Sequence, residues 1–193
     1  MLIQPIRSLL TTSSQCKIIP IVESRVQFTQ VFDSRHVSTV FLRHCNLFDF
    51  TNLLGDANRR KLSIYVNIDH IDGIHADSAG LRYLAEYLHV SGIISTHPRI
   101  LSQGKSFGLE TIQRIFAADS TGLEMALESV DTHFVDVLDI SPGLVTPYLP
   151  TQNTKLFPLP FTASGLIQTP QQVQAVLRSG AIGVAVSRPE LWL

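Results

Sequence analysis

Short apolar runs alternate with amphipathic or polar stretches along this chain, and the alternation continues to its end. Residues 17–22, 39–42, 63–68 and 92–95 read as the first four strands. Between and after them, helical patterns cover residues 25–33, 47–60, 78–89 and 98–105. The third of these carries Leu81, Leu84, Ala85 and Leu88 at helical spacing. The second half continues with strands at residues 110–116, 134–140, 157–163 and 182–187. Its helices are predicted over residues 120–130 and 169–179, with a stub over 147–152. The helix from Thr169 has the clearest start: a Thr cap, Pro170 at the first helical position and Gln172 three residues after the cap. Gly180 is its natural stop.

Strands that are apolar runs rather than alternating patterns belong to a sheet covered on both faces. Eight strand–helix units over residues 16–193 point to a compact single-domain (β/α)8 TIM-type barrel, with residues 1–15 as a tail or capping segment. That fold typically takes ~250 residues. The connections must therefore be short and some helices stunted. A doubly wound open sheet is the alternative. An internal echo favours closure: the stretch from Gly92 to Leu101 aligns without a gap on the stretch from Gly183 to Trp192, strands four and eight with their following turns.

Composition narrows the function. Across 193 residues, 45% are hydrophobic and 16% charged, with a formal net charge of −1. This excludes intrinsic disorder and a basic domain that coats nucleic acid by charge alone. Any RNA contact must come from a local patch or from a second subunit. No stretch approaches the ~18 apolar residues of a membrane span. Cys16 and Cys45 fit no zinc, haem or redox spacing, and a reduced cytoplasmic chain is the plain reading. Pro5 and Arg7 interrupt the apolar residues of the N-terminal stretch, a poor secretory signal.

In a barrel the working face lies at the C-terminal ends of the strands. The loops after strands seven and eight often hold phosphate there, helped by a nearby helix N-terminus. Ser164 and Gly165 follow strand seven, and Ser187 and Arg188 end strand eight. Small residues let backbone N–H groups approach an anion; a plain tight turn is the competing reading. Asp69 and Asp139 end strands three and six and could meet polyol hydroxyls or do acid–base work; capping is the alternative. Arg114 shares one face of strand five with Ile112 and Phe116. Its charge cannot be buried unpaired, so it is expected inside the upper barrel, against Asp69 or Asp139. His44, His70 and His97 end successive strands, but no metal-ligand spacing supports a site, and no metal or cofactor is expected. Arg59, Arg60 and Lys61 form a basic run predicted on the bottom face, where it complements a helix end.

One ordered set of segments carries a family resemblance. It comprises Lys17–Pro20, Ile93–Thr96, Ile112–Phe116 with Asp119–Ser120, Pro142–Gly143, Ser164–Ile167 and Pro189–Trp192. In these the chain resembles the glycerol-3-phosphate-responsive antiterminators, bacterial regulators of glycerol-utilisation operons. The resemblance implies a compact barrel, glycerol 3-phosphate as effector, an mRNA leader as partner and no catalysis. It places Asp69 and Gly73 in the family's third-strand loop, Asp139 where Glu is usual, and Gly165 in its Gly-Gly pair. Departures stand out: Ser164 replaces one glycine, Glu23 and His97 replace arginines, and Arg43–His44–Cys45 replaces Asp-Thr-His. Lost arginines weaken an anion site, and Arg43 is a candidate to compensate. The expected function is transcription antitermination on binding glycerol 3-phosphate or a similar phosphorylated polyol, with a homodimer as one way to assemble an RNA surface. The RNA-contacting residues are unassigned. The rival is a phosphate-binding barrel enzyme, an isomerase or lyase using Asp69 and Asp139.

Overall fold

The computed structural model describes residues 8–12, 17–34, 36–149 and 156–192. Eight parallel strands close into a barrel in sequence order: β1 Ile18–Val22, β2 Thr39–Leu42, β3 Ser63–Asn67, β4 Gly92–Ser95, β5 Glu110–Phe116, β6 Val137–Ser141, β7 Phe161–Ser164 and β8 Gly183–Val186. β8 pairs with β1 through Ile18, Ile19 and Pro20, so the open-sheet alternative is excluded. The helices are α1 Leu9–Thr12, α2 Arg25–Asp33, α3 Leu47–Arg60, α4 Ser78–Glu86, α5 Pro98–Ser106, α6 Ser120–Glu128 and α7 Pro170–Arg178.

Alternation along the strands sorts the core into two layers. Outward positions such as Ile64, Val66, Ile93, Ile115, Leu138 and Ala163 join the cluster that packs against the helices. Inward positions form a smaller cluster of Ile19, Ile21, Phe41, Tyr65, Ile94, Ile112, Val137 and Ala185, closed from below by Leu9. Gly92 opens β4 because Tyr65 lies across it; a Cβ there would stand 2.2 Å from the Glu110 carbonyl oxygen and 2.8 Å from the Tyr65 ring.

Local chemistry sets the helix starts. Ser24, Asp77 and Asp119 each accept from the backbone N–H three residues on. Thr169 and Gln172 make the predicted reciprocal capping box at α7. Several expected boundaries shift for identifiable reasons. The seventh strand starts at Phe161 rather than 157, because Pro158 and Pro160 lack the N–H that a ladder needs. The sixth starts at Val137 rather than 134, because Phe134 and Val135 close a turn on the Asp131 carbonyl. The stub after β6 is a 3-10 turn over Gly143–Tyr148 with Pro147 inside; residues 150–152 of the expected stub lie outside the described ones. Of the basic run, Arg60 donates to the carbonyls of Val31, Phe32 and Ser34 at the end of α2 and lies over the Phe32 ring. It is thus held by a neighbouring helix end. The Arg59 side chain lies outside the described residues, and Lys61 is exposed.

Candidate functional site

The upper barrel interior is polar, and the strand register explains its contacts. Arg114 is level with Asp139 on β6, and Asp139 with Thr162 on β7. All three are inward positions. Arg114 therefore points inside, as expected, and its Nε and Nη2 both donate to Asp139 Oδ2 at 2.9 Å. Thr162 Oγ1 donates to Oδ1 at 3.0 Å and Ser164 Oγ to Oδ2 at 2.8 Å. Arg114 is 8% exposed and Asp139 fully buried. A desolvated pair is stable only when its remaining polar atoms are bonded as well, and Thr162 and Ser164 meet that need on the carboxylate.

Asp69 is not part of this group. It follows β3 in a 3-10 turn, Ile68–His70, instead of ending the strand. Its Oδ1 accepts from Ser95 Oγ, and its Oδ2 from the Thr96 N–H at 2.8 Å and Thr96 Oγ1 at 3.0 Å. The two carboxylates expected to work together are thus each engaged by different neighbours. Asp69 ties the loop after β3 to the end of β4.

Beyond β7 the backbone enters the left-handed region twice, at Gly165 (φ +87°) and at the exposed Leu166 (φ +60°). A Cβ on Gly165 would meet Ser141 Oγ at 3.1 Å. Without a side chain at the left-handed Gly165, a ligand can approach the backbone of this turn closely. At the α7 start the capping box engages the backbone N–H groups of Gln168, Thr169 and Gln172. Ser187 follows β8, where its carbonyl accepts from Gln27 Nε2 at 3.3 Å. Arg188 is exposed and precedes the 3-10 turn Pro189–Leu191. Of the residues expected to bind ligand, Arg114, Asp139 and Ser164 are thus joined in one network, with Gly165 directly following it.

The opposite rim carries Arg43, His44 and His70 beside the carboxylates of Glu23, Asp69 and Asp72. Arg43 pairs with Glu23, Nη2 to Oε1 at 2.6 Å and Nε to Oε1 at 2.8 Å, so its charge is already partly matched. The loops after β2 and β3 are laced together by the N–H groups of His44, Leu47 and Asp72, bonding to the carbonyls of His70, Asp72 and Cys45 respectively. This collar brings the His44 and His70 rings to 4.9 Å between centroids and holds His44 at φ +56°. Partial burial lowers the His70 pKa, and the positive charges of His44, Arg114 and Arg43 add to that. His97 lies at the start of α5, its N–H bonded to Ser95 Oγ. Among the described residues, no three His, Cys, Asp or Glu side chains are arranged to hold a metal ion. Cys45 is buried beneath the collar, which pushes its thiol pKa up to about 11.

Sequence reasoning missed Thr162, the Glu23–Arg43 pair and Asn67. Asn67 is 2% exposed, and its Oδ1 has no hydrogen-bond partner among the described residues; Gln113 Oε1, on the outward face of β5, is alone in the same way. The available signal for Asn67 was its position two residues after the inward Tyr65.

A closed parallel barrel with a plugged bottom and a polar mouth belongs to the small TIM-barrel class, in which function resides in the loops above the strands. Within that class, residues 18–192 match the family model described as "Glycerol-3-phosphate responsive antiterminator", and the chain belongs to this family. It superposes with TM-score 0.82 on a glycerol uptake operon antiterminator regulatory protein from Listeria monocytogenes, at 24% identity over 99% of this chain and 98% of that one. A glycerol uptake operon antiterminator-related protein from Thermotoga maritima gives TM-score 0.79 and 22% identity over 92% and 98% of the two chains. The uncharacterized protein YgcP of Escherichia coli K12 is 20% identical over 180 residues, 92% of each chain.

Proposed function

We propose that this chain is a ligand-responsive transcription antiterminator. It binds glycerol 3-phosphate, or a similar phosphorylated polyol, at the barrel mouth, and in that state engages an mRNA leader of glycerol-utilisation genes. The phosphate sits on the backbone of Ser164 and Gly165 with Ser187, and Arg188 supplies charge from the rim. Arg114 and Asp139 form the floor beside it. Asp69 joins the ligand contacts from the loop after β3. The chain works in the cytoplasm, where leader transcripts are made, and leaves its ligand chemically unchanged.

One observation carries the reading: the consecutive left-handed residues Gly165 and Leu166 sit directly above the Ser164–Asp139–Arg114 network. The engagement of the carboxylates supports a binding role over a catalytic one. A general acid or base must reach the proton it moves, whereas Asp139 and Asp69 already accept several intramolecular hydrogen bonds each. The near-neutral chain favours RNA binding by a pair of subunits that places two modest patches side by side.

The test is retention of a glycerol-operon leader RNA by the protein, with and without glycerol 3-phosphate, at two salt concentrations. The ligand is expected to raise retention, and added salt to lower it steeply. Equal retention with and without ligand would overturn the regulatory reading. Charge reversal of Arg59 and Lys61, sparing Arg60 because it holds the end of α2, is expected to change retention little.

A further inference from the structure

Asn67 is a buried amide whose oxygen is left without a donor inside the barrel. β3 alternates Ile64 and Val66 outward with Tyr65 inward, which places Asn67 on the inner face at the top of the strand. The register sets it level with Arg43 on β2, since Val66 pairs with Leu42 one residue earlier. Arg43 is the donor-bearing side chain level with it on β2, yet its Nε and Nη2 both turn to Glu23. A buried acceptor without a partner is costly and rare in a native protein. Each such group calls for an explanation of its own, and Asn67, unlike Gln113 on the outer face of β5, lies on the inner face at the ligand-binding end of the barrel. Resting on the reading above, we propose that Asn67 Oδ1 accepts a hydrogen bond from a hydroxyl of the bound phosphorylated polyol, making Asn67 the residue that distinguishes a polyol phosphate from a phosphate without hydroxyls.

The neighbourhood selects the donor. An acceptor oxygen needs an N–H or O–H. Arg43 stands in register on this side of the mouth, its positive charge only partly matched by Glu23. Like charge disfavours a ligand ammonium there, and the phosphate itself has no proton to give when fully ionised. A neutral hydroxyl satisfies both conditions. It also fixes the ligand's direction, with the phosphate on the β7–β8 side and the hydroxylated end toward β3.

The experiment compares glycerol 3-phosphate with 1-propyl phosphate, which has the same chain length and no hydroxyls, by calorimetric titration of the full chain and of Asn67→Leu. The wild type is expected to prefer glycerol 3-phosphate by roughly ten- to a hundredfold, the range set by an unpaired buried polar group. Asn67→Leu should remove most of that preference, the loss falling on glycerol 3-phosphate. Its unliganded melting temperature should match or exceed wild type, because the lone oxygen is gone. Equal affinities in the wild type, or a preference that survives in Asn67→Leu, would overturn the assignment of Asn67 while leaving phosphate binding intact. If Asn67→Leu does not fold, the wild-type comparison with Asn67→Ala decides between the same outcomes. If neither phosphate binds the wild type, the proposed function fails with it.

Discussion

The two ends of this barrel hold similar chemistry and treat it differently. At the bottom, Glu110 accepts from Tyr65 OH at 2.5 Å, from the Leu9 N–H at 3.0 Å and from Ser8 Oγ at 2.9 Å. The Leu9 N–H also bonds Tyr65 OH at 2.8 Å, and the Leu9 side chain packs on the inner core. The chain thus seals this end with its own N-terminal segment. Burial and the Glu110 charge drive the Tyr65 pKa far up, so its hydroxyl stays a donor. At the top, the Arg114–Asp139 pair is equally well bonded, but the buried amide oxygen of Asn67 has no donor among the described residues. A polar network closed by its own chain contributes stability. One that stops short of a single acceptor is prepared for something else.

The comparison breaks most visibly at Arg114. Arg114→Met leaves Asp139 buried without its cation, and the expected loss is roughly 3–5 kcal/mol in denaturant unfolding. Adding Asp139→Leu should recover much of it. A single-variant loss near zero would show that the pair is not the support of the upper barrel. Any protein that still folds at low temperature should bind glycerol 3-phosphate more weakly if Arg114 also faces the ligand.

At the other end, Tyr65→Phe removes the hydroxyl shared by Glu110 and Leu9. The expected cost is about 1–3 kcal/mol, with glycerol 3-phosphate affinity unchanged. A large affinity loss would mean that the two ends communicate and that the bottom is more than a plug.

Cys45 tests how firmly the collar covers what lies under it. Its thiol pKa rises from 9.0 to about 11, through burial first and then the charges of Asp49 and Glu23. Only the thiolate reacts, so two units mean a roughly hundredfold smaller reactive fraction at pH 8. In a Cys16→Ser background, iodoacetamide should label native protein at least that much more slowly than unfolded protein. Comparable rates would show that the loops after β2 and β3 open readily.

The smallest effect concerns pH. The folded-state pKa of His70 lies below its ordinary 6.5, so the unfolded chain binds the proton more readily. Stability from this residue is present above that value and is lost as pH falls through it toward the lower folded value. The melting temperature should therefore drop slightly between pH 7.5 and 5.5, and the drop should shrink in His70→Gln.

Much of the architecture was legible because its causes are local. Apolar runs marked the strands, and cap residues such as Thr169 and Gln172 marked the helix starts. Arg114 was legible too, since period-two alternation put it inside and charge demanded a carboxylate. The rest depends on register, which a sequence does not display. Asp69 and Asp139 looked equivalent at their strand ends, yet one caps the neighbouring loop through Ser95 and Thr96 while the other meets Arg114. Arg43 looked like a spare cation until the barrel set Glu23 beside it. Asn67 carried no motif, because its meaning lies in what fails to reach it.

The central claim is that the mouth binds a phosphorylated polyol on the Gly165 turn without transforming it. Phosphorus NMR of glycerol 3-phosphate tests this directly. Near-stoichiometric wild-type protein should broaden or shift the resonance. Gly165→Val, which puts a side chain against Ser141 Oγ at a left-handed position, should leave it sharp. The spectrum should show the same compound after prolonged incubation. An undisturbed resonance with wild type, or a new phosphorus signal growing with time, would contradict the account.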